Sequence, residues 1–126
     1  MFKKIALIAA VTLSLAACKT IPVRDYDHQI TSSANKQLTK KDVEKAIVSA
    51  CQQRGWMCKA TSEGTIAGLL DVRKHQVKID IVYDEKSYSL KYKDSMNMKY
   101  DGDSIHKKYG QWMNNLSRSI DNQLFY

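Results

Sequence analysis

Hydrophobic periodicity changes twice along this chain, and those changes limit the fold more than any other feature. Val43, Ala46, Ile47, Ala50 and Cys51 recur at helical spacing. Thr39 precedes them as a cap, with Asp42 three residues on as a short-armed capping box. Gly55 then offers a left-handed residue to end the helix, and Trp56 is placed to fold back on its last turn. From Met57 the period drops to two. Met57 to Ser62, Thr65 to Val72, His75 to Tyr83 and Ser87 to about Lys93 read as strands separated by Glu63-Gly64, Arg73-Lys74 and Asp84-Glu85-Lys86. Val77, Ile79, Ile81 and Tyr83 alternate with Gln76, Lys78, Asp80 and Val82. Such alternation means one face buried and one face wet, which suits an antiparallel meander.

Met96, Met98 and Tyr100 continue the alternation, either in the same strand after a bulge or in a loop crossing the core. Beyond Asp101-Gly102-Asp103 the steps return to three and four through Ile105, Tyr109, Trp112, Met113, Leu116, Ile120 and Leu124. This predicts a second helix from about Ser104 to Gln123, capped by Asp103 or Ser104. The resulting expectation is an α+β, two-layer sandwich. A three- to four-stranded antiparallel meander carries both helices on one face, in the order α-β-β-β-(β)-α.

The N-terminus speaks to location. Lys3 and Lys4 precede an apolar run from Ile5 to Leu15, which is too short to cross a bilayer as a mature helix. Leu15-Ala16-Ala17-Cys18 follows, with small residues before a cysteine. This resembles the lipobox of bacterial lipoproteins, which implies a signal peptide over residues 1–17 and lipidation of Cys18. Cleavage there would take seventeen of 126 residues, leaving 109 with 18 basic and 13 acidic side chains, a formal +5. A lipobox cysteine carries three acyl chains, and two or more make membrane attachment stable. Lys19, rather than an aspartate, after the cysteine agrees with passage to the outer membrane. Residues 18–38 read as lipidated cysteine and tether: they are polar, contain the only proline (Pro22) and show no sustained apolar period. Residues 39–126 form the single domain.

Of the other cysteines, Cys51 faces inward where the first helix turns back, and Cys58 lies just beyond the turn. In an oxidising envelope a disulfide between them is expected, the alternative being two buried thiols. Their spacing is not that of a redox-active Cys-x-x-Cys pair.

Arg54-Gly55-Trp56, Arg73-Lys74-His75, Tyr88-Ser89-Leu90-Lys91-Tyr92, Asp94-Ser95-x-Asn97-x-x-Tyr100-Asp101-Gly102 and the run from Ile105 to Leu116 are similar to landmarks of a group of small proteobacterial envelope lipoproteins. The resemblance spans about residues 43–124 and implies location and fold but no mechanism. One departure is Gly110, where the group's pattern has asparagine. Glycine inside a helix costs up to about 1 kcal/mol relative to alanine, so a bend or close packing is expected there.

Chemistry-bearing motifs are sparse. His28, His75 and His106 show no metal-ligand spacing. Asp94, Asp101 and Asp103 lack the ligand sequence of an EF-hand and read as capping residues. No phosphate loop, serine elbow or nucleophile–histidine pattern is present, and no nucleic-acid motif. No catalytic residue, metal or cofactor is therefore expected. The chain reads as a non-enzymatic interaction module on the periplasmic side of the outer membrane, with an envelope protein or peptidoglycan as partner. Lys78, Lys91 and Lys93, on the wet sheet face, are the expected binding face. The alternative is a carrier of a lipid, glycan or peptide, with an apolar pocket lined by Tyr92, Met98, Tyr109 and Trp112. Asn97, Asn114 and Asn115 are expected to close a buried hydrogen-bond network at a sheet–helix junction rather than to recognise a glycan or peptide.

Overall fold

A computed structural model describes residues 19–31 and 37–125. The signal segment and Cys18 lie outside the described residues. Seven strands and two helices follow one another as β1 (Thr20–Pro22), β2 (Tyr26–Gln29), α1 (Lys40–Gln53), β3 (Met57–Ser62), β4 (Thr65–Val72), β5 (His75–Tyr83), β6 (Ser87–Met96), β7 (Ser104–His106) and α2 (Lys108–Phe125).

α1 begins with the expected capping box. The Thr39 hydroxyl accepts from Asp42 N at 3.1 Å, and the Asp42 carboxylate accepts from Thr39 N at 2.9 Å. It ends where Gly55 turns left-handed (φ 79°) and Trp56 N donates back to Cys51 O at 2.9 Å. Cys51 and Cys58 are joined by a disulfide, 2.09 Å between sulfurs, which ties the end of α1 to β3. Arg54 Nε also donates to Ser119 Oγ at 2.7 Å, linking α1 to α2.

β3 to β6 form an antiparallel meander, and β2 adds to its far side, giving the order β2-β6-β5-β4-β3. Inward positions Ile66, Leu70, Val77, Ile79, Ile81 and Leu90 are buried with the apolar faces of both helices. Tyr83 reaches Glu44 of α1 at 3.2 Å and Tyr88 reaches Asp121 of α2 at 2.6 Å, so both helices lie on the same sheet face. The α+β sandwich is therefore as expected, with more strands than the alternation revealed.

Three expectations need correction. Residues 20–29 are not tether: β1 pairs with β7 (Thr20↔His106), β2 pairs with β6, and Tyr26 is only 4% exposed. Two strands this short leave no sustained period to read. The second helix starts at Lys108, not Ser104, because Ser104–His106 is an extended strand paired with β1, and His106 N donates to Met98 O at 2.7 Å instead of to a helical carbonyl. Ile105 is fully buried either way, so its place in the helical pattern was deceptive. Finally, β6 carries a bulge: Lys78 pairs with Asp94 but Ile79 with Tyr92, leaving Lys93 unpaired. An extra residue reverses the alternation. Ser95 takes the inward position opposite Val77, Met96 turns outward at 61% exposure, and Met98 is buried in the loop that follows.

Gly110 marks close packing. A Cβ there would come within 2.8 Å of Ile21 Cδ1, where β1's flank presses on the first turn of α2.

Candidate functional site

Among the described residues no helix covers the second face of the five-stranded sheet. Its outward positions include Met57 and Lys59 on β3, Ala67 and Leu69 on β4, and Lys78 on β5. Register aligns Met57 with Leu69, Leu69 with Lys78, and Lys59 with Ala67. With Lys93 from the bulge they line a shallow trough of about 330 Å³ whose floor also takes in Gly68. Gly68 keeps the floor thin: a Cβ there would meet Ile79 Cγ1, Cys58 Sγ and Trp56 Cε3 on the opposite, inner side. Met57 is 61% exposed, which is costly for an apolar side chain unless something covers it.

The three expected lysines do not act alike. Lys91 donates to Asp25 at 2.8 Å, and this hydrogen bond raises its pKa. Lys93 stands 3.7 Å from Asp80. Lys78 borders the apolar trough, and Lys59, which sequence reading passed over, joins it there. The cationic rim of the trough is thus Lys59, Lys78 and Lys93, while Lys91 belongs to an ion pair with the segment before β2. Lys59 was missed because β3 has little alternation: five of its six residues are exposed or edge-facing.

The expected carrier pocket has a different character. Tyr92 stacks on Tyr100 with centroids 4.4 Å apart and meets Tyr109 edge-on at 5.9 Å. Met98 and Tyr109 are buried, and Trp112 packs beside His75 at 6.2 Å. Met98 and Tyr109 belong to the buried core, and Tyr92 and Trp112 are partly buried against it. The Tyr109 hydroxyl is fully buried and has no hydrogen-bond partner among the described residues, and burial pushes its pKa up.

The fold brings the histidines into company that their spacing did not announce. His28 stacks on Tyr88 at 5.0 Å, with Nδ1 3.8 Å from Asp121, the carboxylate that accepts from the Tyr88 hydroxyl. Tyr26-x-His28-x-Ile30 is the trace of this in the sequence: two period-two steps, too few to mark a strand. His75 and His106 come together with ring centroids 5.7 Å apart. His75 Nδ1 donates to the Asn97 carbonyl at 2.7 Å, while His106 Nδ1 accepts from Lys108 N at 3.0 Å. Desolvation lowers the His106 pKa, and the charges of His75, Lys99, Lys108 and Lys107 push the same way. Asn97 Nδ2 donates to Lys74 O at 3.2 Å, but this bond lies at the surface and Asn114 is exposed too, so the expected buried network is not what these two amides form.

Asp101 does not cap α2. It accepts from Asp103 N and Ser104 N at 2.9 and 2.8 Å, holding the turn before β7, and those bonds depress its pKa. Among the described residues no three or more His, Cys, Asp or Glu side chains are grouped to hold a metal ion. No helix of the described residues is long and apolar enough to cross a membrane. No protein-family model matches the chain, and no curated protein matches it significantly.

Proposed function

We propose that this chain is a lipid-anchored envelope protein, held by Cys18 to the periplasmic side of the outer membrane, that works by docking its open sheet face on another envelope protein. The observation that carries this reading is the trough of Met57, Ala67 and Leu69 rimmed by Lys59, Lys78 and Lys93. An exposed Met57 and half-buried Ala67 and Leu69, ringed by cations, fit a partner segment that alternates apolar and acidic residues. The partner's apolar side chains would fill the trough, and its carboxylates would meet the ammonium groups at the rim, where charge contributes mainly to rate and selectivity. β3 adds to the case, since it ends the sheet and presents an open strand edge beside the trough.

Photocrosslinking in intact cells tests this. A photoreactive residue at Leu69 is expected to give one discrete protein adduct, and the same probe at Asn114, exposed on α2, none. Lys59→Glu with Lys78→Glu should abolish the Leu69 adduct while the purified variant keeps its circular dichroism. An adduct that survives both reversals, or capture of peptidoglycan in its place, would overturn the assignment. Lipidation itself is read from the mass of the mature protein and from release of Cys18→Ser into the soluble fraction.

A further inference from the structure

The segment that joins the anchor to the domain is itself folded, and this has a consequence for how the domain meets the bilayer. Lys107 N donates to Lys19 O at 3.1 Å, and Thr20 pairs with His106. Adjacent Cα atoms are about 3.8 Å apart, so Cys18 is bonded directly to a residue that is hydrogen-bonded to the start of α2. An acylated Cys18 thus leaves no slack: its chains begin within about one Debye length of His106 and its neighbours. Four lysines surround that point. Lys19, Lys99, Lys107 and Lys108 are exposed, and among the described residues none of them belongs to an ion pair shorter than 4.0 Å. Lys107 and Lys108 follow His106 in the chain, Lys108 N donates to His106 Nδ1 at 3.0 Å, and His106 N donates to Met98 O at 2.7 Å, which brings the neighbouring Lys99 to the same place. The acids of this region, Asp101 and Asp103, sit by the opposite end of the ribbon, where Val23 N donates to Asp103 O.

We infer that the surface formed by Lys19, Lys99, Lys107 and Lys108 docks on anionic phospholipid headgroups, so that the domain lies against the leaflet in one orientation instead of swinging on a leash. The inference rests on lipidation of Cys18. Its physical basis is short-range attraction between clustered ammonium groups and headgroup phosphates, which grows with each lysine held near the surface. β1 supplies the holding, since a free linker of the same length would let these charges drift beyond the screening distance.

Lysine footprinting on the mature lipoprotein decides the matter. The protein is reconstituted into vesicles of phosphatidylcholine, alone or doped with phosphatidylglycerol, and its lysines are acylated briefly. Lys99, Lys107 and Lys108 should react about threefold or more slowly on the anionic vesicles. Lys59 and Lys78 should react equally on both. Salt at about 0.5 M should erase the difference. In the double variant Lys107→Glu, Lys108→Glu, with unchanged circular dichroism, Lys99 should lose its protection. Equal reactivity of the cluster on both vesicle types, or protection that survives the double reversal, overturns the inference. A mature protein without acyl mass that fails to float with vesicles would instead remove the lipid anchor and this inference with it.

Discussion

Two buried tyrosines on opposite sides of the same accounting show what a single hydroxyl is worth in this core. Tyr88 OH donates to Asp121 at 2.6 Å and lies 3.1 Å from Ser117 O, whereas Tyr109 OH is buried with no partner among the described residues. Removing a satisfied hydroxyl forfeits its bonds; removing an orphaned one relieves a desolvation cost. Tyr88→Phe should therefore lower unfolding free energy by about 1–2 kcal/mol, and Tyr109→Phe should leave it unchanged or raise it, both read by urea denaturation. His106 sets a pH dependence at the same scale. Its folded pKa is lowered from 6.5 by desolvation first and then by His75, Lys99, Lys108 and Lys107. The unfolded chain thus takes this proton at higher pH than the folded one. His106 contributes its full share above about pH 6.5, and stability falls as pH drops from there through the lowered folded value. Denaturation midpoints measured down to mildly acidic pH should show that decline, and His106→Asn should flatten it.

At the scale of elements, the α1–β3 junction concentrates the fold's local logic. The Gly55 turn, the Trp56 hydrogen bond and the disulfide all act over the same few residues. A bridge across a sequence separation of seven closes a short loop, so its loss should cost about 2 kcal/mol. Cys51→Ala with Cys58→Ala, or reduction of the native chain, should move the urea midpoint by the corresponding amount without changing the far-ultraviolet spectrum. The same scale explains what sequence reading caught and missed. β4 and β5 are long enough to repeat their alternation, and their limits were legible to the residue. β1, β2 and β7 are three or four residues each, too few for a period. The Lys93 bulge reversed the parity of β6, so Met96 was read on the wrong side, although a bulge was one of the two options that Met96, Met98 and Tyr100 left open.

For the whole molecule, the decisive fact is that residues 20–29 are part of the domain. Tyr26 inserts among Tyr109 and the core, and Arg24 lies 4.0 Å over its ring. Tyr26→Ala should therefore cost about 3 kcal/mol, as a core aromatic does, where a tether residue would cost nothing; thermal or urea unfolding distinguishes the two. The candidate site divides along the same line. The outward lysines of the meander could be placed from their parity, but which of them rim the trough depended on partners far away in sequence. Asp25 occupies Lys91 from 66 positions back, and Lys59 enters from an edge strand without pattern.

Sequence by itself determined the elements whose signals are local: the cap and turn of α1, the alternating meander, the amphipathic body of α2 and the proximity of Cys51 to Cys58. These follow from side chains a few residues apart, where backbone geometry alone decides who meets whom. Only the tertiary structure decided that β1 closes on β7, that His75 meets His106, and that Tyr92 meets both Tyr100 and Tyr109. Each of those depends on the free energy of bringing distant segments together, which no short window of residues contains.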